Sequence, residues 1–136
     1  MNEDKKMIRV VHYALAKLGC KVDKLGFRYL SYAVMIVIKN PSALHSLCKQ
    51  VYQVVADHFE VKNAMTVHSS IRNMVDEICA SGNFLILNAM FGFDHFKKND
   101  HISCGEFIGL IAIYYTLEYY KNDEFYKSGK MFQGLE

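Results

Sequence analysis

One proline and eight glycines are too few for a collagen-like, proline-rich or glycine/serine-linker chain. The four cysteines, Cys20, Cys48, Cys79 and Cys104, are scattered without a CxxC pair or zinc-ribbon spacing. That dispersal excludes a cysteine-framed metal fold and fits four reduced thiols in a cytoplasmic protein. The opening MNEDKKMIRV carries acidic residues and no apolar core segment, so it is not a secretory signal. The longest apolar stretch, Phe107 to Leu117, is interrupted by Gly109 and Thr116 and falls short of the roughly 18 residues of a membrane span. No nucleophile elbow, phosphate loop or HExxH is found, and His12, His45, His58 and His68 have no carboxylate at a telling spacing. Enzyme chemistry, a cofactor, a small-molecule substrate and a membrane partner are therefore not expected.

What is present is a 136-residue chain that is 51% hydrophobic and 22% charged, the balance of a globular domain. At this length a single domain buries roughly two thirds of its unfolded surface without staples. Net charge is only +2 but unevenly spread, with eleven Lys and Arg against seven Asp and Glu up to Asn83, and five against seven beyond it. The front portion is thus the side suited to an anionic partner.

Apolar positions recur at helical spacing almost throughout. Met7, Val11, Leu15 and Leu18 define a first helix ending at Gly19, and Phe27, Leu30, Val34 and Val37 a second. Asn40-Pro41 reads as an N-cap followed by proline at the first helical position, opening a third helix with Leu44, Leu47 or Cys48, Val51 and Val55 inward. A turn at Phe59 to Asn63 precedes a fourth helix with Val67, Ile71, Met74, Val75 and Ile78 on one side, stopped by Ser81-Gly82-Asn83. Asn83 is expected to cap a short fifth helix running to about Met90, closed by Phe91-Gly92-Phe93. A polar loop over 94–102 leads to Ser103-x-x-Glu106, a capping box for a sixth helix reaching about Tyr120. The expected architecture is all-α, a six-helix bundle over residues 1–121 with a tail at 122–136.

The third and fourth helices, over about 42–80, have the outline of a helix-turn-helix. Opposite the apolar stripe of the fourth helix lie Ser69, Arg72, Asn73 and Asp76, flanked by Thr66 and His68. Such side chains hydrogen-bond base edges, and an arginine there can address guanine with two bonds. The loop residues Asp94, His95, Asp100, His101 and Cys104 offer ligand atoms but match no structural zinc spacing, so a solvated loop is expected and no metal. The sixth helix is apolar around much of its girth. It is either the central core helix or a helix with one side, carrying Ile113, Tyr119 and Tyr120, left for a partner or a second copy, and Gly105 and Gly109 would let another helix approach.

Lys24-Leu25-Gly26-Phe27-Arg28-Tyr29-Leu30 with Ala33-Val34, the spacing through Lys39, Lys49 and Tyr52-x-x-x-Ala56-x-x-Phe59, and then Ile71-Arg72, Ser81-Gly82-Asn83, Phe91-Gly92-Phe93 and Glu106-Phe107-Ile108 form an ordered series of landmarks. In order and spacing they resemble the C-terminal effector domain of the stage zero sporulation protein A family, a response regulator of endospore-forming bacteria. The resemblance covers Leu18 to Leu117. It implies a six-helix domain whose fourth helix enters the major groove of double-stranded DNA, with two copies meeting through the last helix as a homodimer or on tandem sites. It also implies a recognition helix opening at Met65-Thr66-Val67-His68-Ser69-Ser70-Ile71-Arg72.

On that helix only Arg72 keeps a basic residue where the family has several. Thr66 and Ser69 stand at arginine positions, His68 at the acid's, and the turn around Val61 to Ala64 is one residue longer. The chain also starts almost at the effector's first helix, so a standalone regulator without a phospho-receiver domain is expected. The candidate DNA contacts are Met65, Thr66, His68, Ser69, Arg72 and Asn73, with Lys49 and Lys62 at the flanks. Two readings follow: a transcriptional regulator reading an altered sequence, or a degenerate module that acts on a partner regulator. Acids at Asp57, Glu60, Asp76 and Glu77 would favour the second if they neutralised the Lys49–Lys62–Arg72 strip.

Overall fold

The computed structural model describes residues 3–121, and among them only helices and connecting turns occur. Helix α1 spans Glu3–Lys17, α2 Leu25–Lys39, α3 Gln53–His58, α4 Ala64–Ser81, α5 Ile86–Phe91 and α6 Cys104–Lys121. The all-α bundle expected from apolar spacing is therefore the fold. The expected tail at 122–136 lies outside the described residues.

Helix α2 lies at the centre, packed against α1, α4 and α6. Its burial on several sides (Phe27, Tyr29, Leu30, Ala33, Val34, Val37) explains why its sequence is apolar around the girth and rich in Val and Ile. The one polar side chain buried there, Ser31, donates to the Phe27 carbonyl at 2.7 Å, which satisfies its hydroxyl within the helix. Leu15, Leu18, Ile71, Leu87, Phe107 and Ile111 close the core around it. Gly26 sets how near α4 comes: a Cβ built there would stand 2.9 Å from the Ser70 carbonyl oxygen.

The helix ends follow local chemistry. Gly19 takes φ +90°, and paired bonds from Gly19 N to Ala16 O and from Cys20 N to Leu15 O close α1. Gly82 and Gly92, at φ +78° and +69°, end α4 and α5 in the same left-handed conformation. The Ser103 hydroxyl accepts from Glu106 N at 3.1 Å, the first half of the expected capping box on α6.

The third helix departs from the expected continuous span. Pro41–Ser46 is a 3-10 helix, Leu47–Tyr52 a π-helical stretch, and only Gln53–His58 is regular α-helix. Ser46 leaves helical dihedrals (φ −148°, ψ 65°). Asn40 does not cap the backbone, and its Oδ1 instead accepts from the Ser42 hydroxyl at 2.7 Å. The cause lies across the bundle. Leu44 and Leu47 fill the hollows that Gly109 and Gly105 leave on α6, reaching 3.2 and 3.0 Å from where a Cβ would stand. Meanwhile Val51, Tyr52, Val55 and Ala56 turn to the core, and a single unbroken helix would not serve both sets. The two glycines thus receive this chain's own leucines rather than a foreign helix. Cys48, an alternative inward position, is exposed.

A second correction concerns Asn83. It lies in a 3-10 turn, Asn83–Leu85, its side chain set against Gly19, and Leu85 stands at the N-cap of α5 without a side-chain bond. The 94–102 loop is irregular as expected, but it is tied down by Asn88 of α5. The Asn88 carboxamide accepts from His95 N and Phe96 N at 3.2 and 3.0 Å and donates to Phe96 O at 2.9 Å, which seats the Phe96 ring in the core.

Candidate nucleic-acid interface

Helices α3 and α4 are joined by a turn that needs one strained residue. Glu60 adopts φ 58°, and bonds from Glu60 N to Asp57 O and from Val61 N to Ala56 O end α3 as they would around a glycine. Asn63 then caps α4, its Oδ1 accepting from Thr66 N at 3.1 Å and from the Thr66 hydroxyl at 3.3 Å. This cap was readable from an Asn three residues before a Thr at a helix start, a pattern that the sequence reading passed over.

Val67, Ile71, Met74, Val75 and Ile78 are buried to 4% exposure or less, so the apolar side of α4 is fully committed to the core. The opposite side is open: Met65, Thr66, Ser69, Arg72 and Asn73 are exposed, and no part of α6 covers them. His68 differs. It is half-buried, its ring stacked on Tyr52 at 4.7 Å and 11°. Asp76, expected to point outward, is half-buried and bound to His101 Nε2 at 3.1 Å, which ties the 94–102 loop to α4. Lys49, on the π-helical stretch, and Lys62, in the turn, are both exposed at the flanks. Among the described residues, Lys49, Lys62 and Arg72 form no ion pair with Asp57, Glu60, Asp76 or Glu77, and Asp57 instead accepts from Gln53 Nε2 at 2.9 Å.

The two flanks of the open side of α4 can be told apart. Ser69 stands between them, and Asn73 borders a hollow of about 410 Å³ with Lys24, Gly26 and Glu77. Met65, His68 and Arg72 border a cavity of about 500 Å³ that the π-helical stretch and the start of α6 complete with Leu47, Cys48, Tyr52, Ser103, Cys104 and Gly105. Behind this lining the Tyr52 hydroxyl is fully buried, with the weakly polar Cys104 thiol as its neighbour. Burial, then the neighbouring Cys104 thiol, push the ionisation of Tyr52 up, while Arg72 pulls it back. The Cys104 thiol is likewise pushed up by burial, with Arg72 opposing. Sequence spacing carried no signal for Tyr52, Ser103 or Cys104, because only the tertiary fold brings three segments to one place.

The loop residues that offered ligand atoms are engaged separately. Asp94 pairs with Lys97 Nζ at 3.6 Å, Asp100 accepts from Lys97 N at 2.9 Å, and His101 holds Asp76. Among the described residues no group of three or more His, Cys, Asp or Glu is placed to hold a metal ion, and no helix is long and apolar enough to cross a membrane. On α6, Ile113 and Leu117 are exposed, whereas Tyr114 and Tyr115 are buried, so this helix is both a core element and the bearer of an open apolar strip. The side chains of Tyr119 and Tyr120 lie outside the described residues.

The family model described as Sporulation initiation factor Spo0A C terminal matches residues 11–114. The chain belongs to this family. The match runs from α1 into α6 and takes in the whole helix-turn-helix, so the bundle described above is a Spo0A-type effector domain, a family of DNA-binding domains. Within it the open side of α4, with Thr66, Ser69 and Asn73, and Arg72 at the cavity's edge, is the candidate contact surface.

Proposed function

We propose that this protein is a transcriptional regulator that binds double-stranded DNA through α4 and reads a sequence different from that read by arginine-rich members of its family. The observation that carries this reading is the open, polar side of α4 set directly opposite its buried stripe. Ser69 and Asn73 supply short hydrogen-bonding groups on the open side, and an exposed asparagine suits the paired donor and acceptor of adenine. Thr66 is partly engaged by the Asn63 cap and keeps its hydroxyl oxygen free to accept. Lys49, Lys62 and Arg72 supply positive charge on either side for the phosphate backbone. Replacing family arginines by Thr66 and Ser69 removes contacts that contribute about 1–3 kcal/mol of discrimination each, so a changed target sequence follows. The absence of ion pairs between Lys49, Lys62 or Arg72 and Asp57, Glu60, Asp76 or Glu77 among the described residues favours this reading over a module that acts only on a partner protein.

A second copy meets the first through α6. Ile113, 53% exposed, borders a mostly apolar hollow of about 240 Å³ shared with Val37, Ile38, Pro41 and Leu44, and Leu117, 39% exposed, stands one turn further along α6. The test is selection from a randomised duplex pool followed by titration of the selected duplex at two salt concentrations. Affinity should fall with salt, and Asn73→Ala should relax the preference at one or two base pairs without abolishing binding. Undetectable binding, or binding indifferent to salt, refutes the reading.

A further inference from the structure

Among the candidate contacts on α4, His68 has its side chain fixed from another element. Its ring lies on the Tyr52 ring with centroids 4.7 Å apart and planes 11° from parallel. Tyr52 belongs to the π-helical stretch and is 4% exposed, so the ring that supports His68 cannot move aside without opening the core. Val51 and Val55, before and after it in the chain, are fully buried and hold that segment in place. The Tyr52 hydroxyl is buried beside the thiol of Cys104, the first residue of α6, which sets the far end of the ring against a third segment. Tyr52 therefore has almost no surface of its own to offer a partner, and what it contributes passes through His68. His68 is half-buried: Tyr52 covers one face of the imidazole, and the residue borders the cavity beside Met65 and Arg72. It lies in the first two turns of α4, the part of a recognition helix that reaches base edges. In either neutral tautomer the imidazole keeps one N–H to donate. Both purines present an N7 acceptor in the major groove, and neither pyrimidine has one.

We propose that Tyr52 is a positioning residue for sequence reading: by stacking on His68 it aims the imidazole N–H at the N7 edge of one purine, so that preference at one base pair depends on a buried side chain that does not touch DNA. The gain is preorganisation. The rotamer freedom of His68 is given up when the protein folds rather than when DNA binds, and the contact is stronger by that amount. The proposal rests on the DNA-binding reading above and deepens it, adding a purine contact to those of Ser69 and Asn73.

The test titrates the full chain with the selected duplex and with versions of it exchanged at each base pair in turn, using His68→Phe, Tyr52→Phe and Tyr52→Leu beside the parent. His68→Phe keeps a flat ring on Tyr52 but has no donor. It should lose a purine preference of about three- to tenfold at one base pair and leave the other positions alone. Tyr52→Phe keeps the supporting ring and should keep that preference. Tyr52→Leu removes the stack and should lower the preference at the same base pair by about threefold or more, and the double variant should lose no more than His68→Phe alone. Nuclear magnetic resonance of the free protein reads the stack without DNA: the His68 ring protons should be shifted upfield by the aromatic neighbour in the parent and in Tyr52→Phe, and not in Tyr52→Leu. If the parent binds DNA but His68→Phe keeps every preference, or if Tyr52→Phe loses it as fully as Tyr52→Leu, the positioning role is overturned and the DNA-binding reading stands. A loss spread evenly over all duplexes marks a merely structural role and overturns it too. Should Tyr52→Leu fail to fold, His68→Phe and the parent's ring-proton shifts still decide, and unshifted His68 protons overturn the proposal. A parent that binds no duplex at any salt overturns both readings.

Discussion

Replacing Gly26 by alanine should loosen the protein even though alanine is the better helix former. Gly26 is the second residue of α2, where the gain in propensity is smaller than the roughly 1 kcal/mol seen in a helix interior. Against this gain, the new methyl would stand 2.9 Å from the Ser70 carbonyl oxygen and 3.5 Å from Met74 Cε. The Met74 side chain can turn aside, but the Ser70 oxygen belongs to the backbone of α4, so the two helices must separate by several tenths of an ångström. Forced overpacking of this kind costs about 1–3 kcal/mol, which leaves a net loss of about 1–2 kcal/mol. For a domain of this size that is a fall in melting temperature of roughly 3–10 °C. Gly109→Ala is the internal control, because its new methyl meets only the flexible end of Leu44 at 3.2 Å. Thermal unfolding followed by far-ultraviolet circular dichroism reads both. A Gly26→Ala protein that melts at or above the parent's temperature refutes the claim that α2 and α4 are in backbone contact there.

Three further outcomes are expected. Asn88→Ala removes three bonds to the 94–102 loop, so hydrogen exchange at the His95 and Phe96 amides should rise sharply and stability should fall by about 2–3 kcal/mol in denaturant titration. Glu60→Gly relieves a left-handed residue and should raise stability by about 1 kcal/mol; an unchanged or lowered unfolding midpoint would contradict the strain assigned to this turn. In timed alkylation with iodoacetamide read by peptide mass spectrometry, exposed Cys48 should react first and Cys20 only on unfolding. Burial, with the Glu77 carboxylate adding, pushes the Cys20 thiol up to about 12 and keeps it protonated and sealed. Early labelling of Cys20 would show that the α1–α2 corner opens in the native state.

The candidate contact surface was legible in part. A helical wheel drawn on the sequence separates Val67, Ile71, Met74, Val75 and Ile78 from Ser69, Arg72 and Asn73, and burial divides the same residues the same way. It does not disclose what His68 and Asp76 touch, since a wheel shows angle but not neighbours. His68 is held by Tyr52 and Asp76 by His101, partners 16 and 25 residues away in the chain. Nor does it reveal that the start of α6 lies beside Arg72.

Helix positions and most of their ends came from the sequence by itself, because they depend on a 3.6-residue apolar rhythm and on glycines that alone accept a left-handed φ without strain. Gly19, Gly82 and Gly92 each end a helix where the sequence says they should. Tertiary structure alone decided the broken third helix, the Asn88 clasp and the cavity between Tyr52, Arg72 and the start of α6. Each arises from packing between segments far apart in the chain. Leu44 and Leu47 must enter hollows on α6 while Val51 and Val55 face the core, and local helical preference gives way to that demand.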